Sequence, residues 1–115
     1  MEVQVFGTKQ SAATRKALRF FAERRIRVHF VDLQQRAPAP GELRRFVQKF
    51  GIDGVLDRES KRFRELGLHA GSYGEERWLE RLSQEPLLLR LPLVRNAARL
   101  SVGEAESTWK EWTGR

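Results

Sequence analysis

The opening of the chain constrains its fold most, because two apolar β-branched runs enclose a helical pattern there. Val3-Gln4-Val5-Phe6 runs into Gly7, which predicts a strand. Thr8-Lys9-Gln10 reads as a loop, and Ser11 as the N-cap of the helix that follows. Ala13, Ala17, Leu18 and Phe21 fall near one helical face, with Phe20 beside it. Arg15, Lys16 and Arg19 fall largely elsewhere and are expected in solvent. Ile26 to Val31, with Asp32 at its end, predicts a second strand. A strand–helix–strand unit of this length requires parallel neighbouring strands joined by a right-handed crossover.

Ala37-Pro38-Ala39-Pro40-Gly41 then breaks the chain. Leu43, Phe46, Val47 and Phe50 repeat at i, i+3, i+4, i+7, which predicts an amphipathic helix stopped by Gly51. Asp57 to Leu66 predicts a short charged helix closed by Gly67. Ser72 and Glu75 have capping-box spacing ahead of Trp78, Leu79 and Leu82, a helix that Pro86 ends. Leu91 to Val94 and Arg99 to Val102 flank Asn96-Ala97-Ala98 and predict a β-hairpin, with Pro92 at an edge or a bend. Ala105, Trp109 and Trp112 mark a last helix. The three tryptophans fall at helical spacing and are expected in the core, with Trp112 the most exposed of them.

The chain has 115 residues, enough for one domain and too few for two independent cores. Its 40% hydrophobic content suffices for a core. No apolar run approaches the roughly 18 residues that span a bilayer, and the N-terminus lacks the layout of a signal peptide. These features read as a cytoplasmic protein with no membrane association. The formal net charge is +7, which suits an acidic protein or an anionic ligand. Direct nucleic-acid binding is not expected, since no reading motif accompanies the charge. There is no cysteine. Disulfides, thiolate metal sites and thiol mechanisms are excluded, and no cofactor is indicated. His29 and His69 lie far apart in a sequence without zinc-site spacing, so no metal site is expected.

The order β-α-β, three helices, β-β-α is the thioredoxin fold with a helical insertion. The expected architecture is α/β with a mixed four-stranded sheet. Phe6-Gly7-Thr8-Lys9-Gln10-Ser11-Ala12-Ala13-Thr14-Arg15-Lys16-Ala17 resembles the active-site segment of the ArsC/Spx family, which includes arsenate reductases. Ser60 to Leu68, Glu85 to Val94, and Val102-Gly103 with the acidic residues after it resemble later stretches of that family in the same order. The resemblance implies one thioredoxin-like domain over residues 1–115, with the insertion at about 38–86.

On this resemblance the family's nucleophilic cysteine falls on Ser11, and its resolving position falls on Thr14. A hydroxyl is not usefully ionised near neutral pH and forms no disulfide, so arsenate reduction and thiol–disulfide exchange are not expected. The family's oxyanion-holding arginines fall on Leu91, near Asp57 beside Arg58, and near Val102. Only Arg15 keeps its spacing from residue 11. Pro92 falls on the family's cis-proline. Nucleophilic serine needs a base, normally His, and His29 belongs to the second strand, so Ser11 reads as a cap. The Ser11 position also resembles that of glutathione transferases, but this chain has no room for their extra helical domain. The first reading is therefore a binding or regulatory module. The resemblance to Spx-type proteins implies the C-terminal domain of the RNA polymerase α-subunit as a partner. An acidic partner suits the basic face of Arg15, Lys16 and Arg19, continued by Arg24, Arg25 and Arg27. The second reading is a weak glutathione- or oxyanion-binding, or transferase-like, protein that uses the Ser11 pocket, with an anion site at Lys9, Ser11, Ala12 and Arg15 on the open N–H groups of a helix start.

Overall fold

In the first strand, β1 (Glu2–Gly7), Val3 and Val5 are fully buried on one face, and Phe6 is buried on the other. A computed structural model of the protein describes residues 1–68 and 73–114. The chain forms two compact units, Met1–Arg36 with Leu91–Arg115, and Ala37–Arg90.

The first unit holds β1, α1 (Ala12–Glu23), β2 (Arg27–Asp32), β3 (Leu93–Asn96), β4 (Arg99–Val102) and α5 (Glu106–Thr113). Its sheet has the order β2-β1-β3-β4. β1 and β2 are parallel, from Glu2 opposite Arg27 to Gly7 opposite Asp32. β3 is antiparallel to both β1 and β4. The sheet is thus mixed, with β2 and β4 at its edges. Val3, Val5 and Val94 pack with Ala17, Phe20 and Phe21 of α1 and with Trp109 and Trp112 of α5. Trp109 is fully buried, and its indole N–H donates to the Ser101 hydroxyl at 2.9 Å, which satisfies the polar end of the ring. Trp112 is buried as well, because the last turn of α5 lies on the same cluster. At 9% it is still the most exposed of the three tryptophans, as its place near the chain end suggests.

α1 ends in a six-residue reverse cap. The Ile26 amide donates to the Phe21 carbonyl and the Arg25 amide to Ala22, with Arg25 in the left-handed region at φ 57°. That cap absorbs Ile26, so β2 starts one residue later than the β-branched run suggests. Pro92 precedes β3 rather than interrupting it, and the Leu91–Pro92 peptide is cis. The hairpin turn is Ala97-Ala98, with Ala97 at φ 53°. Asn96 is still strand.

The second unit holds α2 (Pro40–Val55), α3 (Lys61–Glu65), α4 (Glu75–Gln84) and a 3₁₀ turn at Pro86–Leu88. Leu43, Phe46 and Val47 are buried, as the periodicity predicts. Gly51 breaks the helix at φ 76° and ψ 167°, but one further turn follows to Val55. α3 is shorter than the charged run suggests, because Asp57 and Ser60 are used in turns before it. Gly74 stands at the N-cap of α4, which makes Glu75 the first helical residue rather than the third of a capping box. Ser72 and His69 lie outside the described residues. Leu56 bridges Leu89, and Arg62 clasps Glu85 in a half-buried pair.

Candidate functional site

β1 ends at Gly7, and the chain must turn within a few residues to start α1. The Ser11 amide donates to the Thr8 carbonyl at 3.2 Å and closes that turn. Ser11 has extended backbone angles, and its hydroxyl accepts from the Thr14 amide at 3.1 Å. This is the bond that an N-cap makes, and it occupies the hydroxyl in holding the first turn. The amides of Ala12 and Ala13 belong to the set with no acceptor inside the helix.

Thr14 is fully buried, so it offers nothing to a ligand at the surface. Its side chain lies against the backbone of Gly7. A β-carbon added at Gly7 would sit 2.4 Å from Oγ1 of Thr14 and 2.6 Å from its Cγ2. The Thr14 hydroxyl finds no hydrogen-bond partner among the described residues. Lys9 is exposed. Arg15 is exposed too, but its guanidinium turns back and donates to the Lys9 carbonyl at 2.7 Å.

Among the described residues no base attends Ser11. His29 stands opposite Gln4, with its ring nitrogen 3.5 Å from the Gln4 amide. It lies three residues before Asp32, the partner of Gly7, and so roughly 10 Å down the strand at about 3.3 Å per residue. The positions that the resemblance assigns to oxyanion arginines supply no free cation. Leu91 is half-buried and apolar. The Asp57 carboxylate accepts from the Glu59 amide. Arg58 is held by Asp53 through two bonds of 3.0 and 2.7 Å. Val102 is paired with Leu93. Among the described residues no His, Asp or Glu cluster could hold a metal ion, and no helix is long and apolar enough to cross a membrane.

The basic face of α1 is narrower than the sequence suggests. Lys16 bonds Glu104 at 2.6 Å and Glu106 at 3.4 Å, and Lys110 reaches Glu106 at 3.1 Å. The Glu104 bond, then the Glu106 bond, raises the Lys16 pKa; Lys110, then Lys16, lowers that of Glu106. Arg24 lies 3.6 Å from the Phe20 ring centroid and donates to the Phe20 carbonyl. Arg15 and Arg19 remain exposed on the helix. The glutamates that neutralise Lys16 lie far along the chain, and only the packing of α5 on the sheet reveals them.

Residues 6–112 match the ArsC family. The chain belongs to that family. Its sequence is 26% identical over 117 residues to the global transcriptional regulator Spx 2 of Oceanobacillus iheyensis, covering all of this chain and 86% of that one. It is 26% identical over 105 residues to an arsenate reductase of Neisseria meningitidis serogroup A, covering 89% of this chain and 90% of the other. In three dimensions it resembles an arsenate reductase from Vibrio cholerae, with a TM-score of 0.83 at 18% identity, covering 96% of this chain and 97% of that one. That likeness shows the ArsC thioredoxin-like fold expected from the element order. Within the family this chain carries no cysteine anywhere in its sequence.

Proposed function

We propose that this ArsC-family chain is a non-catalytic binding or regulatory module, without arsenate reductase or thiol–disulfide activity. The observation that carries the reading is Ser11, where the resemblance places the nucleophile. Its hydroxyl is committed to the Thr14 amide, and among the described residues no histidine lies beside it to act as a base. Reduction of arsenate needs a group that can be oxidised, and neither Ser11 nor the buried Thr14 can form a sulfur–arsenic or sulfur–sulfur bond. We take the module to act in the cytoplasm, with an acidic protein as partner. The similarity to Spx 2 nominates the C-terminal domain of the RNA polymerase α-subunit as the first partner to test. Two measurements decide the reading. Purified protein given arsenate with glutathione or dithiothreitol should yield no arsenite above the uncatalysed rate. A pull-down with immobilised chain should retain a partner that moderate salt does not release. Arsenite production would refute the non-catalytic reading, and retention of nonspecific polyanions alone would refute a specific partner.

One feature favours a second reading beside this one. The Ala12 and Ala13 amides open at the start of a helix next to Lys9, which suits a weakly bound oxyanion or the carboxylate of glutathione. Ser11 and Arg15 flank that place. Titration with phosphate, arsenate or glutathione should move the amide signals of residues 11–15, and no shift at millimolar ligand would remove this reading.

A further inference from the structure

The open edge of β2 combines free main-chain groups with a border of cations that Glu2 and Asp32 only partly offset. The Leu33 amide donates to the Gly7 carbonyl at 2.9 Å. Hydrogen-bonding direction alternates along a parallel strand, so Val31, His29 and Arg27 also face β1. The N–H and C=O groups of Val28 and Phe30 therefore point away from it, and no described strand lies beyond β2. The two faces of the edge differ. Arg27 and His29 are exposed on one, whereas Val28 and Phe30 are half-buried against the core on the other. At the C-terminal end of the strand, a cleft of about 270 Å³ is lined by Lys9, His29, Phe30, Gln35 and Arg36, among others. Its carboxylate, Asp32, already accepts from the Gln34 amide. Glu2 lies 3.8 Å from Arg27, a loose and exposed pair. The α1 face offers the opposite case, since Glu104 and Glu106 hold Lys16 there.

We infer that β2 is the docking edge for an extended acidic segment of a partner protein, added as a fifth strand. The inference rests on the binding-module reading and moves its surface from α1 to the sheet. Main-chain bonds to Val28 and Phe30 supply the register. The two-faced edge sets the segment's pattern. Acidic side chains alternate with apolar ones, the acids above Arg27 and His29 and the apolar residues beside Val28 and Phe30. An acid beyond the strand end enters the Lys9–Arg36 cleft. A nucleic acid fits less well, because it has no ladder of amides to extend the sheet, and the lone imidazole of His29 is a small platform for stacking.

The probe is a short capped peptide of alternating Glu and Val, titrated while the protein's amide signals are followed. The Val28 and Phe30 amides should shift and become protected from exchange. Lys9→Glu with Arg36→Glu should weaken binding about tenfold or more, and Lys9→Arg with Arg36→Lys should retain it. Both sites are exposed, so these variants should fold. The same composition in block order, or the alternating peptide with N-methylated amides, should bind far more weakly. Four outcomes overturn the inference: no shift at millimolar peptide, shifts confined to Arg15 and Arg19, equal binding of the control peptides, or tighter binding of single-stranded DNA at the same amides. Failure of the non-catalytic reading would appear instead as arsenite in the reductase assay, which the peptide titration does not read.

Discussion

Two serines cap two helices in this chain with the same bond length. Ser11 accepts from Thr14 at the head of α1, and Ser60 accepts from Phe63 at the head of α3, both at 3.1 Å. One occupies the position that the resemblance assigns to a nucleophile; the other starts a five-residue helix with no such association. As hydroxyls they do the same work, so position in the family does not by itself confer chemistry. The differences lie around them. The third residue of α1 is a buried threonine pressed on Gly7, where α3 has a buried phenylalanine. Lys9 and Arg15 flank Ser11, whereas Ser60 lies in a run of mixed charge, with Asp57, Arg58 and Glu59 before it and Lys61 and Arg62 after it.

The largest effect should come from the contact that α3 lacks. Gly7→Ala should destabilise the protein by about 3 kcal/mol, because the β-branched Thr14 cannot swing aside in a buried helix. Thr14→Ala in the same chain should recover much of that loss, which urea unfolding of the single and double variants would show. Independent effects of the two changes would mean that the contact does not exist.

A thiol at each cap sharpens the comparison further. The Ser11→Cys thiol should titrate below its usual value of about 8.5, and about one unit below the Ser60→Cys thiol. α1 has twelve residues against five in α3, so its aligned peptide dipoles favour a thiolate at the start more strongly. Iodoacetamide rates against pH measure both. Equal values would remove any special character from the α1 start. Removing the caps should have the smaller and nearly matched cost of about 1 kcal/mol for Ser11→Ala and Ser60→Ala alike. A loss several times greater at Ser11 would imply a role beyond capping.

The smallest effect concerns pH. Lys16 ties α1 to Glu104 and Glu106, whereas α3 uses Arg62, which does not titrate in the accessible range. The folded pKa of Lys16 is raised, so its stabilisation is complete below about pH 10 and fades as pH rises through the folded value. That of Glu106 is lowered, so its contribution holds above about pH 4 and fades as pH falls through the folded value. Thermal midpoints of Lys16→Met should lose the alkaline dependence, and Arg62 variants should leave it unchanged.

The strands and helices of the first unit were legible because their signals are local. Alternation in β1, the 3.6-residue period of α1 and the β-branched run of β2 each lie within a few residues. Boundaries that depend on hydrogen bonds across several residues were less so. Ile26 reads as strand but closes the α1 cap, and the α2 helix resumes after Gly51 because the turn to Val55 buries another apolar residue. The Ser11 cap was visible in residue type and spacing. The burial of Thr14 and the glutamates on Lys16 were not, since each is created by elements that meet only after folding.

The tryptophans turn the division of the chain into an optical property. Trp109 and Trp112 belong to the first unit, and Trp78 is buried in the second. A chain carrying Trp78→Phe therefore emits from the sheet unit alone. One carrying Trp109→Phe and Trp112→Phe emits from the helical unit alone. Each half thus carries its own lamp, and the order in which the two dim during unfolding can be read without attaching a dye.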